Sequence, residues 1–206
     1  MKVLSIGAHP DDPEFGMGGT LIKHRKEGHE VQVILCTLGG VCGDPKVREQ
    51  EARAAANKMG VEVLHILDYH VSKLNKTNTQ FVQVLRKVID EIKPDRVYVH
   101  SPFDNHQVHK TVSDCTISAA KDLKQILFYE TISSTSTNFK PNAFVDITSF
   151  MDLKIECIKA HKTQSHRLYL QPNVIRSVGN YRYIHAKVGS NPYGFAEAFR
   201  IHKMVI

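Results

Sequence analysis

Four short apolar runs, KVLSIGA (2–8), VQVILCT (31–37), VEVLHIL (61–67) and RVYVH (96–100), recur through the first half of the chain with helix-length segments between them. Each run is too short for a buried helix and rich in β-branched residues, so each reads as a strand. Strands separated by helices must cross over and return in the same direction. The pattern therefore argues for an α/β domain with a mostly parallel sheet and helices on both faces, a three-layer α/β/α arrangement. Helices are expected over about 18–27, closed by Gly28; over 45–59, closed by Gly60; over 78–93, stopped by Pro94; and from His106 or Val108 to about 121. Later strands are expected at 126–130, 143–146 and 197–201, with helices near 150–161 and 174–188.

The chain has 206 residues, no internal repeat and no low-complexity linker, so one domain over 1–206 is expected. The formal charge is +6, but the lysines and arginines are scattered without a block of five. They read as a basic solvated surface that would also attract an anionic substrate, and nucleic acid is not expected as a partner. No apolar run approaches the ~18 residues of a membrane span, and the N-terminus lacks the apolar region of a signal peptide. No membrane partner is expected, and the cytoplasm is the expected location. Cys36, Cys42, Cys115 and Cys157 have no CxxC spacing and read as reduced thiols.

In a parallel sheet the loops that follow the strands share one edge, where open α/β sheets hold their ligands. Two such loops are rich in chemistry. Ala8-His9-Pro10-Asp11-Asp12 crowds an imidazole and two carboxylates into four residues; either Asp could instead cap the next helix. Asp104-Asn105-His106-Gln107-Val108-His109 puts two histidines three apart, one turn along a helix face. Two histidines and a carboxylate form a recurrent catalytic zinc set with a fourth position open for water. Asp11 would then take that water's proton. Gly16-Met17-Gly18-Gly19-Thr20 fails the dinucleotide fingerprint, because Leu21 stands where its last glycine belongs, and acids lie just upstream. These glycines read as close helix–sheet packing. Arg48 and Glu51, one turn apart, form either a surface ion pair or an arm reaching toward the site.

These residues resemble the PIG-L / LmbE-like family of zinc-dependent N-acetylglucosaminyl deacetylases. The resemblance rests on AHPDDPEFGMGGT (8–20), Arg48-x-x-Glu51-Ala52, Asp104-x-His106-x-x-His109, Phe144-Val145-Asp146-Ile147-Thr148, Lys154-Ile155-Glu156 with Ala160-His161-Lys162-Thr163-Gln164, and Ala196-Glu197-Ala198-Phe199, in that order. It implies a Rossmann-like fold and removal of an N-acetyl group from an amino sugar or its conjugate. It implies one zinc per chain on His9, Asp12 and His109, with Asp11 as general base. His106 would stabilise the oxyanion or protonate the leaving amine, and Arg48 would contact the acyl group or acetate. Trimers or hexamers are implied. The alternatives are hydrolysis of another N-acyl amide, such as N-formyl, and a sugar- or metal-binding homologue without turnover. Three positions depart from the family pattern. Val108 replaces an Asp, leaving Asp104 to orient His106 and, with Arg48, to bind substrate. Gly40 replaces a Glu. Ala186-Lys187-Val188-Gly189 lacks an Arg, for which Lys187 or Arg182 would substitute. The run 127–131 with Ser133-Ser134 looks more like members acting on surface-polysaccharide or antibiotic sugars.

Overall fold

The computed structural model describes residues 1–39, 42–61, 63–69 and 79–205. Seven strands form one sheet: β1 (Lys2–Gly7), β2 (Glu30–Leu35), β3 (Val63–Ile66), β4 (Arg96–His100), β5 (Gln125–Tyr129), β6 (Ala143–Asp146) and β7 (Ala196–Met204). Their order is β3-β2-β1-β4-β5-β7-β6. The first five strands pair in parallel; β7 runs antiparallel to both β5 and β6. The expected mostly parallel α/β architecture is thus present, with an antiparallel edge built by the last third of the chain.

Side-chain alternation divides the core. Leu4, Ile6, Val97, Val99, Ile126 and Phe128 face α3 (Thr79–Ile92) and α4 (Gln107–Ala119). Val3, Val31, Val33, Tyr98, Leu127 and Tyr129 face α1 (Asp12–Lys26), α2 (Pro45–Met59) and α5 (Met151–Ile158). Residues two apart on a strand share a face, so each short run feeds both layers. A smaller cluster, with Phe15, Ile147, Met151 and Ile175 in it, seats α6 (Pro172–His185) beside β7.

One helix departs from expectation. α1 begins at Asp12, six residues before Gly18, and is broken at Met17 (φ −152°). Its acids and glycines hide its apolar period, and the break restarts the helix. The carboxylate of Glu197 on β7 accepts from the amides of Gly19 (2.9 Å) and Thr20 (2.7 Å), as an N-cap does. Lys154 on α5 completes the buried set, donating to Glu197 Oε1 (2.6 Å) and Phe15 O (2.7 Å). The glycines do serve close packing: a Cβ on Gly16 would sit 2.4 Å from Tyr129, and one on Gly19 would sit 2.8 Å from Ile147. The expected third strand, 61–67, contains Glu62, the expected third helix starts at Asn78, and the departure in the loop after the second strand is Gly40. All three residues lie outside the described residues.

Candidate metal centre

The loops after β1, β2 and β4 meet at the carboxyl edge of the sheet, as their positions in the chain require. After β1 the backbone turns sharply. Asp11 adopts φ 92°, a left-handed conformation costly for a residue with a Cβ, and occupies the N-cap position of α1 without a side-chain capping bond. Asp12 is turned back instead, and its Oδ2 accepts from the His9 amide at 2.8 Å. Neither acid is a simple helix cap.

Three ring nitrogens also gather on Asp12. Its Oδ2 lies 3.3 Å from His9 Nδ1, 3.5 Å from His109 Nε2 and 3.2 Å from His100 Nε2. His109 comes from the first turn of α4, and its Nδ1 pairs with Asp104 Oδ2 at 3.1 Å. That bond directs its proton outward to Asp104 and leaves Nε2 facing Asp12. Among the described residues, the donor atoms of His9, Asp12 and His109 lie within 4.8 Å of one another, as do those of His100, Asp104 and His109. The first set fits a metal better. Both ring nitrogens of His100 are engaged: Nε2 accepts from the Ala8 amide (3.0 Å), and Nδ1 pairs with Thr131 Oγ1 (3.1 Å). His9, Asp12 and His109 line the cavity, which His100 does not, and a carboxylate behind the histidine is the usual support of a ligating imidazole.

The charges are unequal. Burial alone would raise the Asp12 carboxyl, yet His109 and His100 beside it hold it well below the ordinary range, so it is ionised. Asp11 is pushed up to about 7, by burial first and then by the Asp12 charge, with His161 and Arg48 opposing. Two adjacent carboxyl groups therefore hold different protonation states near neutrality. Burial, then His109 and His9, lower His106, which is neutral. Its Nδ1 accepts from the Val108 amide (3.2 Å), so the neutral ring carries its proton on Nε2. Its ring stacks on His109, with centroids 4.4 Å apart.

Arg48 is 3% exposed. It donates to Gly39 O (2.9 Å) and Pro10 O (2.8 Å), clamping two loops together, and its guanidinium lies 3.9 Å from Asp11 Oδ2. Gly39 must be glycine: its φ is 62°, and a Cβ would overlap the guanidinium. Glu51 accepts from the Thr163 amide and hydroxyl (2.8 and 2.6 Å), so the surface ion pair gives way to two buried tethers.

The cavity above these groups has a volume of about 310 Å³. His9, Asp11, Asp12, Arg48, His106 and His109 line it, as do Ser133, Gln164, Arg167 and Tyr169. Asp104 stands behind the wall at 2% exposed; besides holding His109, it accepts from the His106 backbone amide (2.7 Å) and so sets that residue's backbone rather than its ring. Arg182 binds Glu130 in a different, smaller cavity, and neither it nor Lys187 lines this one. Val108 packs into the α3/α4 core. Sequence reasoning gave Gln164 no role, although a motif of the resemblance ends on it, and missed His100 as well as the wall pair Arg167 and Tyr169. A histidine ending a buried strand at the ligand edge was a usable signal for His100. No comparable signal marked the pair.

Residues 4–120 match the family described as GlcNAc-PI de-N-acetylase (PIG-L). The uncharacterized deacetylase YaiS of Escherichia coli is 30% identical over 168 residues, covering 78% of this chain and 90% of that protein. The diacetylchitobiose deacetylase of Thermococcus kodakarensis is 27% identical, over 79% of this chain and 70% of its own. Among solved structures, the 4-carboxy-2-hydroxymuconate hydratase of Pseudomonas putida superposes with a TM-score of 0.85 at 19% identity, covering 100% of this chain and 97% of that one. At that identity the likeness is one of fold.

Proposed function

The chain belongs to the PIG-L family, and from that premise we propose that it is a zinc-dependent deacetylase that hydrolyses the N-acetyl group of an amino sugar or its conjugate. What supports this reading is one juxtaposition. Three convergent donors, His9, Asp12 and His109, line the same cavity as a carboxyl of raised pKa and a neutral imidazole.

His9, Asp12 and His109 would hold a zinc ion, which would supply Lewis acidity and lower the pKa of the attacking water. Asp11 takes a proton from the attacking water as its oxygen adds to the amide carbonyl carbon. His106, with its proton on Nε2, donates to the carbonyl oxygen as negative charge builds there; one such donor is worth ~3–4 kcal/mol. The C–N bond then breaks, the proton held by Asp11 passes to the nitrogen, and the free amine leaves with acetic acid, which releases its remaining proton to water as acetate. Arg48 keeps the Asp11 loop in place through Pro10 and contributes positive charge where a carboxylate product forms. Asp104 fixes His109. We further infer a homo-oligomeric enzyme working in the cytoplasm on a small molecule. No helix among the described residues is long and apolar enough to cross a membrane.

The test is free-amine release across a panel of N-acetylhexosamine derivatives, with and without chelator. Chelator-sensitive release from at least one member is expected. Release from N-formyl compounds alone would move the activity to another acyl group. Zinc binding with no release from any member would favour a non-catalytic homologue. Hydration of 4-carboxy-2-hydroxymuconate, the activity named for the Pseudomonas structure, would replace the reading altogether.

A further inference from the structure

We propose that the turn joining α1 to β2 forms a second transition-metal site, made by His24, Glu27 and His29. His24 lies in the last turn of α1, Glu27 caps that helix, and His29 stands just before β2. Gly28, at φ 78°, reverses the chain, and the His29 amide donates back to His24 O at 3.0 Å. This closed turn brings the two imidazoles together with their Nδ1 atoms 2.9 Å apart. Glu27 Oε2 lies 3.8 Å from His29 Nδ1, and the three donor atoms fall within 4.8 Å of one another.

Two imidazole nitrogens at that separation share either a proton or an ion. Metal–nitrogen bonds of ~2.0–2.1 Å at a tetrahedral angle put the nitrogens roughly 3.3 Å apart, so only a few tenths of an ångström separates this arrangement from a loaded one. The support behind His24 fits a ligating ring. Its Nε2 lies 3.0 Å from the Tyr98 hydroxyl, which also accepts from Arg96 at 3.1 Å. The phenolic oxygen has two lone pairs, so it can accept from Arg96 and from His24 Nε2–H together. That tautomer leaves His24 Nδ1 as a bare lone pair pointed at His29, the outer-shell pattern of ligating histidines.

The charges nearby are mixed. Arg96 is held by Gln125 (2.7 Å), and Lys23 is directed toward Asp146 O (3.4 Å). Against these stand the Glu27 carboxylate and the carbonyl end of α1, which favours cations. Two imidazoles and a single carboxylate suit Zn²⁺, Cu²⁺ or Ni²⁺ and offer too few oxygens for Mg²⁺ or Ca²⁺. The site lies at the opposite end of α1 from Asp12, and 15 residues of helix set the two roughly 20 Å apart. It is therefore independent of the catalytic reading.

The test is metal stoichiometry. Chelator-stripped full-length protein is titrated with Zn²⁺ against a competing chromophoric chelator, with circular dichroism to verify the fold of each variant. Wild type should take up two equivalents, and His29→Ala and Glu27→Gln one each. His109→Ala should also take up one, which His29→Ala added to it removes. The His24 and His29 ring signals in NMR should move with Zn²⁺ and stay still with Mg²⁺. Both substituted side chains are partly exposed, so these variants should fold. If His29→Ala and Glu27→Gln bind as much zinc as wild type, or the ring signals do not respond to Zn²⁺, the proposal is overturned.

Discussion

At the scale of single residues, the centre depends on giving neighbours different tasks. Asp11 and Asp12 are consecutive, yet the left-handed turn at Asp11 sends one carboxyl among three histidines and the other beside Arg48. Asp11→Ala should therefore retain metal, measured by elemental analysis, while amine release falls to background. Retained turnover would remove Asp11 as the base. Asp104 acts one step further back. Asp104→Ala strips the nearer partner from His109 Nδ1, leaving Ser134 Oγ at 3.4 Å, and should weaken metal affinity by roughly 10–100-fold, read by chelator competition. An unchanged affinity would mean that the α4 backbone and the Ser134 hydroxyl orient the imidazole without Asp104.

At the scale of elements, α1 is the piece whose form the rest of the molecule dictates. Its first turns bring Asp12 to the centre, and its second part begins again after Met17 on the Glu197 carboxylate. Lys154 neutralises that carboxylate in a buried site. Lys154→Met should cost about 3–5 kcal/mol in urea denaturation, because it leaves Glu197 buried and unpaired. A loss under ~1 kcal/mol would show that the two amides satisfy Glu197 unaided. Gly16→Ala drives a methyl into Tyr129 and should cost about 1–3 kcal/mol by the same measurement. Because the Tyr129 hydroxyl also touches His100 Nε2 (3.0 Å), metal affinity should fall with it.

At the scale of the whole molecule, pH should act on stability through His161. This buried ring has both nitrogens without a hydrogen-bond partner, its nearest carboxylate being Glu14 at 3.5 Å. Burial works to lower its pKa, but Glu14, Asp11 and Glu51 outweigh it and raise the pKa above the ordinary 6.5. A raised folded-state value means that the protonated ring stabilises the fold fully below pH 6.5, and that this contribution is lost as pH rises through the folded pKa. Wild-type Tm should therefore fall on going from pH 6 toward pH 8. His161→Gln should be less stable at pH 6 and show a flatter profile; parallel profiles for the two proteins would remove His161 as the source.

Much of this was written in local sequence. Short β-branched apolar runs at crossover spacing determined the parallel α/β sheet, because strand propensity and segment length are local properties. Loop position after a strand placed His9, Asp12, His106 and His109 at one edge for the same reason. Tertiary structure alone decided the rest. The start of α1 at Asp12 and its break at Met17 depend on Glu197 and Lys154, more than a hundred residues away in sequence. The approach of His100 to Asp12, the clamp of Arg48 on Pro10 and the placement of Asp104 behind His109 are distances between separate segments. Local pattern specifies which way a side chain faces; only packing of the layers specifies what it meets.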